Sequence, residues 1–146
     1  MKPSKNLIKK LMELEGLRLE AYRDAAGVPT IGYGHTKDVR MGDRITEYYA
    51  RELLHEDVAY MGRQVEALGI CQTQGQLDAL TSLAFNIGPK RLRRSTLVKL
   101  IRQGATSEAI RKEWMRWVFA GGKRLEGLAR RREWETERFF ETRDKR

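Results

Sequence analysis

An α+β fold, mostly helical with a small N-terminal β hairpin, is what this sequence predicts, and three observations carry the prediction. Apolar residues recur three and four apart through most of the chain, the spacing of one helix face. Leu17 to Tyr22 changes to period two, and Val28 to Tyr33 returns as a second strand broken by Pro29 and Gly32. Capping residues and glycines then fall at the ends of the periodic segments, where helices start and stop.

Taken in order, a first helix is expected from about Ser4 to Glu15. Ser4 can cap its free amides, and Leu7, Ile8, Leu11 and Met12 form its apolar stripe. Glu15 falls on that same stripe one turn beyond Leu11, and Gly16 offers the stop. Leu17, Leu19 and Ala21 alternate with Arg18, Glu20 and Tyr22 as a short strand. Asp24 to Gly27 reads as a turn and Val28 to Tyr33 as the returning strand. Gly32 and Gly34 imply close approach of another backbone or a ligand. Arg40 to Asp43 reads as loop or a third short strand, so strands are confined to roughly residues 17 to 45.

Thr46 caps a long helix through about Leu68, roughly 34 Å at 1.5 Å per residue. That length suits either a connector between two lobes or a core helix. Thr73 and Gln76 have capping-box spacing ahead of a helix ended by Asn86-Ile87-Gly88-Pro89. Ser95 opens another helix to about Gln103. Thr106 or Ser107 opens one carrying Trp114, Trp117, Val118 and Phe119, stopped at Gly121-Gly122. The last is expected over roughly Gly127 to Thr142.

The 146 residues suit one domain, and the formal net charge of +9 favours a polyanionic partner: nucleic acid, an anionic membrane surface or an anionic wall polymer. One cysteine, Cys71, excludes an internal disulfide. Two histidines and no CxxC leave no legible zinc site. The N-terminus lacks the apolar run of a secretory signal, and no stretch approaches the ~20 apolar residues of a membrane span.

The chemistry centres on residues 15 to 36. Two carboxylates on separate short elements suit glycosidic hydrolysis, where one protonates the leaving oxygen and the other activates water. Apolar neighbours of Glu15 favour the neutral, proton-donating form; it reads also as a surface carboxylate ending a helix. Asp24 reads also as a turn residue bonding its own backbone. Thr30 is either a good strand former or a hydroxyl that orients water. His35 reads as a polar brace of the hairpin in preference to a catalytic base. Lys90-Arg91, Arg93-Arg94 and Arg130 to Arg132 read as a solvated face or as attraction toward an anionic polymer. The tryptophans read as core.

Together these residues closely resemble the phage-type lysozymes, the endolysin family of glycoside hydrolases. The family pattern of Glu, Asp nine on and Thr six further on is met by Glu15, Asp24 and Thr30. AYRDAAGVPTIGYGHT, QLDALTSLAFNIG and LEGLARRREWE resemble three family segments in the right order. The WETERFF tail is bulkier than the alanine-rich end common in the family.

The resemblance implies a lysozyme-like fold of two lobes joined by a long helix. One lobe covers about 16–60; the other takes about 69–146 plus helix one. It implies inverting hydrolysis of the β-1,4 bond between N-acetylmuramic acid and N-acetylglucosamine, with carboxylates about 6.5–9.5 Å apart. Glu15 would be the acid, Asp24 the opposing carboxylate and Thr30 the placer of water. Thr36, Phe85 and Asn86, with His35 counted beside them, are the implied substrate-binding residues. An arginine among Arg130, Arg131 and Arg132 would pair with Glu15. The implied partner is peptidoglycan, met by a monomer with no cofactor, metal, nucleic acid or stable membrane insertion. The implied location is the host cytoplasm before lysis, then the wall in the periplasm through a holin lesion. Two rivals stand beside this reading: a basic nucleic-acid-binding helical domain, and a catalytically dead wall-binding relative.

Overall fold

The computed structural model describes residues 1–142, in the order α1 (Lys5–Glu15), β1 (Arg18–Arg23), β2 (Pro29–Gly32), α2 (Glu47–Glu66), α3 (Gln74–Ile87), α4 (Pro89–Arg93), α5 (Thr96–Arg102), α6 (Ser107–Trp114), β3 (Phe119–Ala120), β4 (Lys123–Arg124) and α7 (Glu126–Phe139). The class is α+β, as expected. The chain divides into two compact units, one of Ser4–Tyr60 and one of Met1–Pro3 with the residues from Met61 onward. Helix α1 therefore groups with the hairpin, where the resemblance had placed it with the later helices. The sequence of α2 runs through the boundary at Tyr60.

In the first unit, Ser4 accepts the Leu7 amide at 3.2 Å and starts α1, which buries Leu7 and Leu11. Strands β1 and β2 pair antiparallel, with Tyr22 opposite Thr30 and Arg23 opposite Pro29. Arg40 to Asp43 is loop, the first of its two readings, and only an isolated bridge of Arg44 with Glu20 follows it. The Ala21 amide donates to the Asp43 carbonyl at 3.0 Å, and the Ile45 amide to the Leu19 carbonyl at 2.9 Å. Thr46 takes the Tyr49 amide at 3.1 Å and opens α2. Ala21, Ile31, Tyr33, Ala50, Leu54 and Val58 are the unit's other main buried apolar residues.

The second unit packs helices around Leu77, Leu80, Leu83, Leu97, Val98, Trp114 and Phe139. The Thr73–Gln76 capping box is complete, each side chain taking the other's backbone amide. Ser95 and Thr106 cap α5 and α6.

Two expectations here fail. The sixth helix ends at Trp114, and Trp117 to Phe119 lie outside it. Strands are also not confined to residues 17–45: Phe119–Ala120 pairs with Lys123–Arg124 across Gly121 and Gly122, at φ 59° and 79°. Two successive positive φ values make a two-residue hairpin turn, which glycine adopts without steric cost. In the tail, Phe139 sits edge-on to Trp114 at 5.2 Å and to Phe140 at 4.9 Å.

Candidate active site

Helix α1 ends on Glu15 because Gly16, at φ 71°, turns the chain away. Leu11, one turn earlier, is fully buried, so the same helix face carries the half-buried Glu15 inward. Its carboxyl lies against the backbone of Gly34: a Cβ added there would stand 2.7 Å from Glu15 Oε1. Gly34 itself sits at φ 76° inside the turn closed by reciprocal Ile31–His35 bonds of 2.9 Å. What approaches Gly34 is this side-chain carboxylate, where another backbone or a ligand was expected.

Asp24 and Thr30 meet at one residue, Val28. Asp24 Oδ1 accepts the amides of Ala26 and Val28, both at 2.9 Å. The Val28 carbonyl accepts the Asp24 amide at 3.0 Å and the Thr30 hydroxyl at 2.8 Å. Arg23 adds a bond to the Gly27 carbonyl at 3.0 Å. The turn therefore fixes Asp24 by one oxygen. Its Oδ2 receives no hydrogen bond among the described residues. Thr30, only 3% exposed, spends its proton on Val28 and keeps its oxygen lone pairs.

His35 is held as a brace of the hairpin. Nδ1 lies 2.8 Å from Asp57 Oδ2 on α2, and Nε2 lies 2.9 Å from the Lys37 carbonyl. Both ring nitrogens are engaged. The hydrogen bond to Asp57 raises the His35 pKa above its ordinary value, while burial opposes the shift. A group whose folded value is raised stabilises fully below its unfolded value, about 6.5, and loses that contribution as pH rises through the folded value. The melting-temperature gap between the wild type and His35→Asn is therefore expected to be wider near about pH 5.5 than near about pH 8.5. A gap that stays constant across this window would contradict the pairing.

Gly34 offers a second test. Alanine there is strained at positive φ by about 1–2 kcal/mol, and its methyl displaces the Glu15 carboxyl. Gly34→Ala should cut any activity that depends on the Glu15 carboxyl by roughly a hundredfold, the scale of a 1 Å misplacement. Gly104, at φ 72° with nothing within 4 Å, is the control: Gly104→Ala carries similar strain without the activity loss. Equal activity in the two variants would refute the contact.

Thr36 is exposed and belongs to the first unit; half-buried Phe85 and exposed Asn86 end α3 in the second. Arg130 is exposed, whereas Arg131 and Arg132 are buried with Glu135. Burial pushes the Cys71 thiol up to about 12, which keeps it a thiol at neutral pH. Among the described residues no cluster of three or more His, Cys, Asp or Glu could hold a metal, and no helix is long and apolar enough to cross a membrane. Sequence reasoning missed the hub at Val28 and the partner Asp57. Backbone groups carry no residue signature, and Asp57 stands 22 positions from His35.

Residues 12–135 match the family model described as Phage lysozyme. The chain is similar to an endolysin of Acyrthosiphon pisum secondary endosymbiont phage 1, 46% identical over 130 residues, covering 83% of this chain and 86% of that one. A SAR-endolysin of Enterobacteria phage P21 is 38% identical over 126 residues, covering 85% and 76%. Among solved structures, the muramidase domain of SpmX from Asticaccaulis excentricus superposes with a TM-score of 0.85 at 32% identity, over 97% of this chain and 99% of that one. A mutant of P22 lysozyme does so with a TM-score of 0.78 at 35% identity, over 97% and 99%.

Proposed function

The chain belongs to the phage lysozyme family, and from that premise we propose that it hydrolyses the β-1,4 bond between N-acetylmuramic acid and N-acetylglucosamine of peptidoglycan, with Glu15 as general acid and Asp24 and Thr30 placing the water. The family makes it a glycoside hydrolase of the muramidase kind. Residue roles and bond are the proposal.

The observation that carries it is the arrangement around Val28. Asp24 has one oxygen tied to two amides and the other without a bond from a described residue. Thr30 has donated its proton to the same residue's carbonyl. A water that donates one hydrogen to Asp24 Oδ2 and the other to Thr30 Oγ1 turns its lone pair outward, toward a sugar carbon. Glu15 passes its proton to the glycosidic oxygen as the bond breaks, and Asp24 takes the proton that the attacking water sheds. No covalent sugar–enzyme bond forms, and the anomeric configuration inverts. The substrate is the wall polymer, met by a monomer.

Mass spectrometry of digested sacculi tests the reaction. Hydrolysis gives muramic acid with a reducing end, whereas anhydro-muramic ends would mean that the enzyme is a lytic transglycosylase. Proton NMR of the first-formed anomer tests the stereochemistry, and retention would remove Asp24 from the water-activating role.

A further inference from the structure

The second unit carries an open groove of about 520 Å³, lined among others by Lys90, Arg91, Arg94, Arg116, Glu113 and Trp117. Its charge is uncompensated: four cations face one carboxylate. Arg116 pairs with Glu113 at 3.2 Å, while Lys90, Arg91 and Arg94 make no ion pair among the described residues.

The fold holds these charges together against their own repulsion. Lys90 and Arg94 are four apart and Arg91 and Arg94 three apart, on α4 and its C-cap. Like charges at those spacings destabilise a helix. Helix α4 has five residues, too few for a macrodipole that would offset the cost. A bound anion removes the repulsion, and arginine forks match phosphate oxygens. A carboxylate brings one negative charge, whereas a phosphomonoester brings nearly two at neutral pH.

Trp117 adds a second kind of contact. Its half-buried ring lines the groove, and its carbonyl takes Arg132 Nη1 at 3.0 Å, which anchors the backbone. An aromatic face beside cationic forks suits a ring that carries phosphate, and the volume exceeds what a bare phosphate fills. We propose that this groove binds a phosphorylated sugar, using none of the residues assigned to hydrolysis.

Calorimetric titration of the full chain at low salt with glucose-6-phosphate, glucose and inorganic phosphate tests it. Glucose-6-phosphate should bind, glucose should not, and inorganic phosphate should bind about tenfold more weakly for want of the ring contact. Arg91→Glu with Arg94→Glu should weaken glucose-6-phosphate by about tenfold or more, the equivalent of one lost charge-assisted bond. Trp117→Ala should bring glucose-6-phosphate down to the level of inorganic phosphate. Both arginines are exposed, so the melting temperature should hold; Arg94→Gln reads the same loss if the double variant fails to fold. Absence of binding, binding of glucose alone, or binding untouched by these variants overturns the proposal. So does a single-stranded oligonucleotide that displaces glucose-6-phosphate at physiological salt and is lost in the same variants, because the groove would then serve nucleic acid.

Discussion

Glu15→Gln is expected to remove wall hydrolysis while the fold stands. A positioned general acid contributes about 10²–10⁴-fold, so reducing ends released from purified wall should fall by that factor, and turbidity clearing of permeabilised cells should cease. Glutamine keeps the shape that rests on Gly34, where only 2.7 Å would separate Oε1 from an added Cβ. What it loses is the acidic proton. The melting temperature should stay level or rise, since residues selected for chemistry are seldom optimal for stability. Asp24→Asn separates the second role. Its remaining oxygen can still accept the Ala26 and Val28 amides, but an amide group replaces the oxygen that would accept from water. Thr30→Ser should retain more activity than Thr30→Val, because serine keeps the lone pairs. Full activity in Glu15→Gln would take the acid role from Glu15; full activity in Asp24→Asn would take the water from Asp24.

The candidate site was legible because it is local. Glu15 breaks the apolar stripe of its own helix, Asp24 opens its own turn, and Thr30 follows on the returning strand, all within 16 positions. The caps at Ser4, Thr73, Ser95 and Thr106 were legible for the same reason: each bonds an amide three residues on. The end of α6 was not. Trp114, Trp117 and Val118 keep helical spacing beyond the true stop, and Gly121-Gly122 is as consistent with a helix end as with the hairpin turn it makes. Helix α4 was missed because a segment of five residues shows no periodicity. His35 had a legible role but an illegible partner. The largest blind spot was Glu135, which local sequence places on a charged helix face and the fold places at the centre of the second unit.

Glu135 is fully buried, and its removal should bring the greatest loss of stability in this chain. Ser82 from α3 donates to its Oε2 at 2.6 Å, and Trp114 at the end of α6 donates to Oε1 at 2.9 Å. Arg132 Nη2 donates to Oε2 at 3.1 Å and Arg131 Nε at 3.4 Å. Arg131 also reaches the Ser82 carbonyl at 3.1 Å. Burial presses the Arg132 guanidinium below its usual value, and Glu135 opposes that shift, so the carboxylate holds a guanidinium charged where water cannot. Glu135→Leu would leave the buried Arg132 guanidinium without this carboxylate, take one partner from Arg131, and unpair a serine and an indole. Breaking a buried pair on one side costs about 3–5 kcal/mol, read as a lower urea midpoint at unchanged slope. The informative comparison is a triple variant, Glu135→Leu with Arg131→Met and Arg132→Met. If the single loss comes from orphaned charge, replacing all three by apolar groups of similar volume should recover most of it. If the triple variant is instead as unstable as the single, the network's worth lies in its hydrogen bonds to Ser82 and Trp114, which join three helices and which no apolar set can replace.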